Sequence, residues 1–349
     1  MWALRSVATR FHPVEGLFPR RYAVLPDTAR ELKARLSQRL SEAPTVAASS
    51  VGADSRWSGV ALGLTPVGPD QVHLAIRLIH QADADVVLAG LDHAAREEVD
   101  VRVIGPVRPL GSPVTGFTPA DLQQRVRPLR PGASIGHPGV TAGTLGAFVR
   151  RPGTDGLLVL SNNHVLADTD AAVEGDPVLQ PGVADGGAAA DRVGTLTAWV
   201  RLDADPGNLV DAAVAALDPG VVADPTGYPG GALAAVVAAV DDVDPDQLVE
   251  KVGRTTGHTR GRITAVEVDG VGVQYDDGVH TFDDQVEIEG LDGAFSDGGD
   301  SGSVIWRSSD RAPLGLLFAG STEGGSAGGG VTFANPLATV LSALGVHWL

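Results

Sequence analysis

Three short stretches of this sequence carry residue types that could divide nucleophilic catalysis between them. In Gly298-Gly299-Asp300-Ser301-Gly302-Ser303 a serine sits between glycines, directly after an aspartate and just ahead of the apolar Val304-Ile305-Trp306. A hydroxyl on such a tight turn can serve as a nucleophile, with backbone N–H groups free to face a developing oxyanion. Gly and Asp are also ordinary turn residues, so this reading needs a base and an orienting group elsewhere. Ser161-Asn162-Asn163-His164-Val165-Leu166 follows the apolar Leu157-Leu158-Val159-Leu160. A histidine just past a buried strand is held firmly while its ring reaches a cleft, and imidazole titrates near neutrality, so His164 can take a proton and return it. The orienter must be a carboxylate kept fixed and ionised by partial burial. Asp211 leads straight into Ala212-Ala213-Val214-Ala215, where small side chains leave room for an imidazole; its competitors Asp203, Asp205 and Asp218 sit among Pro, Gly or other acids, as turn residues do.

The elements that must position these groups are short strands. Beyond residue 132, apolar runs at 143–150, 157–160, 193–202, 212–217, 249–252, 261–268, 270–275, 285–288, 303–306, 314–319 and 331–334 are separated by Gly-rich turns. That spacing predicts an all-β barrel or sandwich. Only residues 336–344 look helical there, with Leu337, Val340, Leu341 and Leu344 on one face. The first hundred residues read differently. Thr28 and Glu31 form a capping box ahead of Leu32, Leu36 and Leu40, which predicts a helix over 27–42. Strands are expected at 57–64, 72–79 and 99–104, and a second helix at 84–97. Residues 1–104 are therefore expected to form a small α/β unit, 105–132 a Pro/Gly/Arg-rich linker, and 133–349 the β domain. His73, His80 and His93 are scattered through the first unit and read as surface or core residues.

Composition narrows the function classes. A net charge of −17 argues against nucleic acid or an anionic membrane as a partner. With no cysteine there is no disulfide, thiolate metal site or cysteine nucleophile. His258 and His280 lack neighbours at ligand spacing, so neither a metal nor any other cofactor is expected. Arg5, Arg10, His12, Pro13 and Glu15 interrupt the N-terminus, leaving no signal-peptide core, and the longest apolar run, 232–240, is too short to span a bilayer. A soluble, cytoplasmic protein is expected.

The order His164, Asp211, Ser301 with a Gly-Asp-Ser-Gly turn resembles the trypsin/chymotrypsin-like serine proteases, over about residues 131–349. Ser161-Asn162-Asn163-His164-Val165, with Gly143-Thr144-Leu145-Gly146 before it and Gly253-Arg254-Thr255-Thr256-Gly257 after it, is similar to a mostly bacterial subgroup with plant relatives. The resemblance implies a mainly β, chymotrypsin-like double β-barrel preceded by the small α/β N-terminal domain. It implies a serine endopeptidase acting on protein or peptide substrates, with His164 as general base and acid, Asp211 as orienter and Ser301 as the nucleophile of an acyl-enzyme. Gly299 and Ser301 would supply the oxyanion hole. Phe295, Ser296, Asp297 and Gly298 would form one wall of the specificity pocket, and Phe318, Ala319 and Gly320 the other, its backbone pairing with an extended substrate. The position often acidic in trypsin-type enzymes falls on or near Phe295, which favours an apolar or small substrate residue; Asp297 and Glu323 are the negative charges nearby. Asp300 has no activation N-terminus to pair with, so an internal partner or another activation route is expected. The N-terminal unit is read as regulating access or binding a protein partner. The alternative is a catalytically silent, protease-like binding module.

Overall fold

The computed structural model describes residues 27–42, 59–68, 71–81, 83–89, 91, 95–96, 98–105, 107, 120–203, 207–240, 243–244, 247–291, 293–325 and 329–349. His93, residues 1–26, and residues 106 and 108–119 of the Pro/Arg stretch fall outside these residues.

The chain opens with α1 (Asp27–Glu42), β1 (Val60–Gly68), β2 (Gln71–Leu78), α2 (Asp83–Leu88) and β3 (Val99–Val103). After α3 (Ala120–Gln123), the first barrel is made by β4 (Ser134–Ile135), β5 (Gly143–Thr144), β6 (Ala147–Arg150), β7 (Leu157–Ser161), the one-turn α4 (Asn163–Leu166), β8 (Pro177–Leu179), β9 (Arg192–Trp199) and β10 (Ala213–Leu217). The second barrel comprises β11 (Leu248–Gly253) and β12 (Gly257–Asp269) and, after the separate hairpin of β13 (Val271–Tyr275) and β14 (Gly278–Phe282), β15 (Gln285–Gly290), β16 (Val304–Arg307), β17 (Pro313–Ser321) and β18 (Val331–Pro336). The chain ends with α5 (Leu337–Leu344) and β19 (His347–Trp348).

The fold is mainly β, and its strand order makes the double β-barrel expected from the sequence. The second ring runs β11-β16-β17-β18-β15-β12, and β12 pairs back with β11 to close it. The first runs β6-β7-β10-β9-β8; a bridge between Gly136 and Leu179 brings β4 against β8, and the β4–β5 hairpin leads back into β6. Alternation places Phe148, Val159, Val178, Val193, Leu196 and Ala215 inside the first barrel. Val249, Ile263, Val286, Ile288, Ile305 and Leu317 fill the second. The neighbouring residues on these strands face outward and join the barrels. Val149, Leu160 and Val214 of the first meet Val304 and Leu316 of the second, with Leu337, Val340 and Leu341 of α5 sealing the seam.

β12 spans 13 residues because its two halves have different partners. The first half pairs with β11, and the second with β15 and, through Leu62 and Leu64, with β1. Register shifts between Ile263 and Ala265 and between Ala265 and Val268 bend it round the barrel. β1 continues into the hairpin with β2, and β3 joins in parallel, so the N-terminal strands extend the sheet of the second barrel. Thr65-Pro66-Val67-Gly68, beyond the end of the strand expected at 57–64, belongs to β1. Pro66 is tolerated because pairing with β12 stops at Leu64. Leu32 and Leu36 of α1 are buried on Leu62, Leu74 and Ile76, each such side chain contributing about 1.5–3 kcal/mol. The stretch expected as a linker is fastened in its described parts: Val107 bridges Val273, Leu122 packs with Tyr228, Val252 and Trp306, and Leu129 enters the first barrel. Short strands at β8, β14 and β19 have no counterpart in the sequence reading; two to five residues beside turn formers carry too little alternation to stand out.

Candidate active site at the seam of the two barrels

His164 stands on α4, immediately after β7 leaves the first barrel. Its Nδ1 lies 2.5 Å from Asp211 Oδ2, and its backbone N–H donates to Asp211 Oδ1 at 3.2 Å. The carboxylate bond places the proton on Nδ1 and leaves Nε2 as an acceptor. Both asparagines before the histidine hold this turn. Asn162 Nδ2 donates to the Asp211 carbonyl at 2.7 Å; Asn163 Nδ2 donates to Val200 O at 2.7 Å and to Asp170 Oδ1 at 2.8 Å. Asp170 also accepts the Trp199 indole N–H at 2.7 Å and the Leu202 N–H at 2.8 Å.

Asp211 is fully buried at the start of β10. Its N–H donates to Asn335 Oδ1 at 3.0 Å, and Asn335 Nδ2 donates to Gln285 Oε1 at 2.6 Å, so the second barrel braces the acid of the first. Tyr275 OH donates to Asp211 Oδ2 at 2.7 Å. Burial pushes the Asp211 carboxyl up, but the charge of His164 and the hydrogen bonds from His164 and Tyr275 outweigh it and hold the group below its ordinary value.

The serine turn comes from the second barrel. Gly299 has φ +94°, and a Cβ there would lie 2.3 Å from Arg254 Nη1 and 2.6 Å from Thr255 Oγ1, so both backbone angle and space require glycine. Its carbonyl accepts Thr144 Oγ1 at 2.9 Å, while the N–H groups of Gly299 and Ser301 make no hydrogen bond among the described residues. Thr144 N donates to Ser301 O at 2.8 Å. Gly146 lets the turn approach the first barrel, since a Cβ there would meet Gly302 O at 2.1 Å. Ser301 is 1% exposed, and its hydroxyl donates to Phe318 O at 3.4 Å rather than to His164. A chain of rings, Phe318–Phe282–Tyr275–His164, lines the seam between the two.

Asp300 does have an internal partner. Lys251 Nζ lies 3.1 Å from Asp300 Oδ2, with both side chains wholly buried. The same carboxylate accepts Thr255 N at 2.9 Å, Thr256 N at 3.1 Å, Thr256 Oγ1 at 2.6 Å and Asp297 N at 3.1 Å. Burial pulls the Lys251 ammonium below its ordinary value, and Asp300 opposes that shift without cancelling it.

No protein-family model matches the chain, and no curated protein matches it by sequence. Similar solved structures include protease A of Thermobifida fusca, 20% identical with a TM-score of 0.43 over 63% of this chain and 98% of that one. A serine protease specific for glutamic acid is 24% identical, TM-score 0.44, over 63% of this chain and 100% of its own. Nocardiopsis protease is 18% identical, TM-score 0.44, over 63% and 98%. These likenesses assign no residue.

The expected pocket walls are placed unequally. Ser296 Oγ pairs with Thr332 Oγ1 at 2.7 Å, Asp297 Oδ1 accepts the Gly298 N–H at 2.7 Å, and Gly298 O accepts Thr255 Oγ1 at 2.5 Å. Phe295 does not line a pocket by its side chain: it is 2% exposed and packs in the barrel core with Val249, Ile263 and Ile305. An apolar ring in the loop between β15 and β16 is drawn inward by the core. The Phe318 ring is likewise buried, against Phe282, and Ala319 and Gly320 continue β17 beside β18. Of the other histidines, His258 binds Glu250 and stacks on Trp306, while His280 binds Asp277. Among the described residues no group of three or more His, Cys, Asp or Glu side chains could hold a metal ion, and no helix is long and apolar enough to cross a membrane.

The sequence reading passed over Asn162, Tyr275, Asn335 and Lys251 as parts of this site. Lys251 did leave a signal, as one of only two lysines and the one set in the strand Val249-Glu250-Lys251-Val252. Tyr275 and Asn335 left none, because only the packing of the barrels brings them to Asp211.

Proposed function

We propose that the protein is a serine endopeptidase that cleaves protein or peptide substrates through an acyl-enzyme. Ser301 Oγ attacks the scissile carbonyl. His164 Nε2 takes the hydroxyl proton and delivers it to the leaving amine, and the same residue then activates water to release the acyl group. Asp211 holds the imidazole in the required tautomer and stabilises the imidazolium. The free N–H groups of Gly299 and Ser301 receive the oxyanion; one such donor is worth about 2.7–4 kcal/mol in comparable sites. Ser296, Asp297 and Gly298 on one side, with the backbone of Phe318, Ala319 and Gly320 on the other, flank the substrate residue before the cut.

The observation that carries this reading is the buried Asp211 carboxylate bonded at 2.5 Å to His164 Nδ1. It supports a tautomer in which Nε2 is left as an acceptor for the Ser301 hydroxyl. The internal pairing of Asp300 with Lys251 supports competence of the intact chain, because the turn is braced without a new N-terminus.

A fluorophosphonate probe tests the proposal. The intact chain should be labelled at Ser301, and Ser301→Ala should abolish the label. Folded wild-type protein that stays unlabelled would favour the silent binding module.

A further inference from the structure

Asp211 receives more hydrogen bonds than its pairing with His164 requires, and one comes from the opposite barrel. Oδ2 accepts both His164 Nδ1 at 2.5 Å and the Tyr275 hydroxyl at 2.7 Å. Tyr275 closes β13 and is 4% exposed. Its ring stands edge-on to the His164 imidazole, with centroids 5.8 Å apart, and is backed by His280 at 5.4 Å and Phe282 at 6.2 Å. The β13–β14 hairpin that carries it is fastened at both sides: Gln274 N donates to Val107 O at 3.2 Å, and Phe282 bridges Asn208. Burial, the adjacent Asp211 charge and the hydrogen bond to Asp211 push the Tyr275 phenol well above its ordinary value, so it remains a neutral donor.

We propose that Tyr275 is a positioning residue: its hydroxyl shares Oδ2 with His164, locks the rotation of the Asp211 carboxylate, and so keeps His164 Nε2 aimed at Ser301. The proposal rests on the roles given above to Ser301, His164 and Asp211. A carboxylate held only by His164 could swing with the ring; one pinned from a second barrel cannot. Two donors on one oxygen also disperse its charge. Without Tyr275 the carboxylate keeps more of its charge on the oxygen that holds His164 Nδ1, which should alter that hydrogen bond. The titratable groups facing the pair are Tyr275 itself, with His280 and Asp277 behind it on the same hairpin.

The test is Tyr275→Phe in the full chain, which keeps the ring and removes the donor. In a Ser301→Ala background the low-field NMR resonance of the His164 Nδ1 proton should shift in Tyr275→Phe, a reading that needs no turnover. With Ser301 present, fluorophosphonate labelling should slow about ten- to hundredfold. Phe282→Leu, which loosens the same packing but keeps the hydroxyl, should leave the resonance in place. An unchanged resonance in Tyr275→Phe, or an equal shift in Phe282→Leu, would overturn the proposal. Absence of labelling in the wild type would instead count against the protease reading, while the resonance still decides the role of Tyr275.

Discussion

Lys251 and Asp300 show what a single residue does for the site. A lysine in the middle of a valine-flanked strand is costly to bury, and it is tolerated because Asp300 lies 3.1 Å away, itself bonded to four further donors. Lys251→Met leaves that carboxylate without its counter-charge. Breaking a buried pair from one side costs about 3–5 kcal/mol, and the remaining donors to Asp300 place the expected loss near the lower end. Urea unfolding should show it as a lower midpoint. Fluorophosphonate labelling should slow as well, because Asp300 sits between the two proposed oxyanion donors. A variant with unchanged midpoint and labelling would show that the four neutral donors suffice. At this same scale the sequence was most informative: His164, Asp211 and Ser301 each stood out by residue type and by the apolar run beside it. Residue type alone does not say that the Phe295 ring, in the loop after β15, is buried with Val249, Ile263 and Ile305.

At the scale of elements, the turn from residue 298 to 303 takes its shape from Gly299, which adopts φ +94° with Arg254 and Thr255 packed where a side chain would go. The proposed oxyanion donors depend on that shape. Gly299→Ala should therefore leave the barrels folded, with near-native circular dichroism, and lower labelling of Ser301 by about a hundredfold, the cost of losing one oxyanion donor. Labelling within twofold of wild type would mean that this N–H is not a donor to the reacting group. The glycine-serine pattern announced a tight turn in the sequence; the neighbours that forbid a side chain there, Arg254 and Thr255, arrive from the turn after β11, about 45 residues earlier.

At the scale of the whole molecule, the N-terminal strands and the second barrel share one sheet. Arg77 of β2 is wholly buried and bonds Glu287 of β15 through Nε at 2.6 Å and Nη2 at 2.8 Å. Thr264 Oγ1 adds a bond to Glu287 at 2.7 Å. Arg77→Met alone strands a buried carboxylate and should destabilise by about 3–5 kcal/mol. Arg77→Met with Glu287→Leu should recover most of that loss, since an apolar pair avoids the desolvation of both charges. A thermal or urea double-mutant cycle measures the coupling; additive effects would show that the two residues act independently. This continuity bears on the proposed regulatory role of the first hundred residues. Among the described residues, the N-terminal strands are joined to the second barrel through β1 and β12, and Val107 bridges Val273 of the β13–β14 hairpin.

By itself the sequence determined what is local in origin: short alternating strands, a mainly β fold, and the helices over 27–42 and 337–344; the shared catalysis of His164, Asp211 and Ser301 is proposed from their residue types. Each follows from periodicity or from a side chain's own chemistry. Tertiary structure alone decided who stands next to whom. It gave Asp300 its lysine, gave Asp211 the Tyr275 hydroxyl and the Asn335 brace, turned Phe295 inward, and joined the N-terminal strands to β12. Those pairings span tens to hundreds of residues, and no local pattern encodes them; they arise when two barrels close and press their outer faces together.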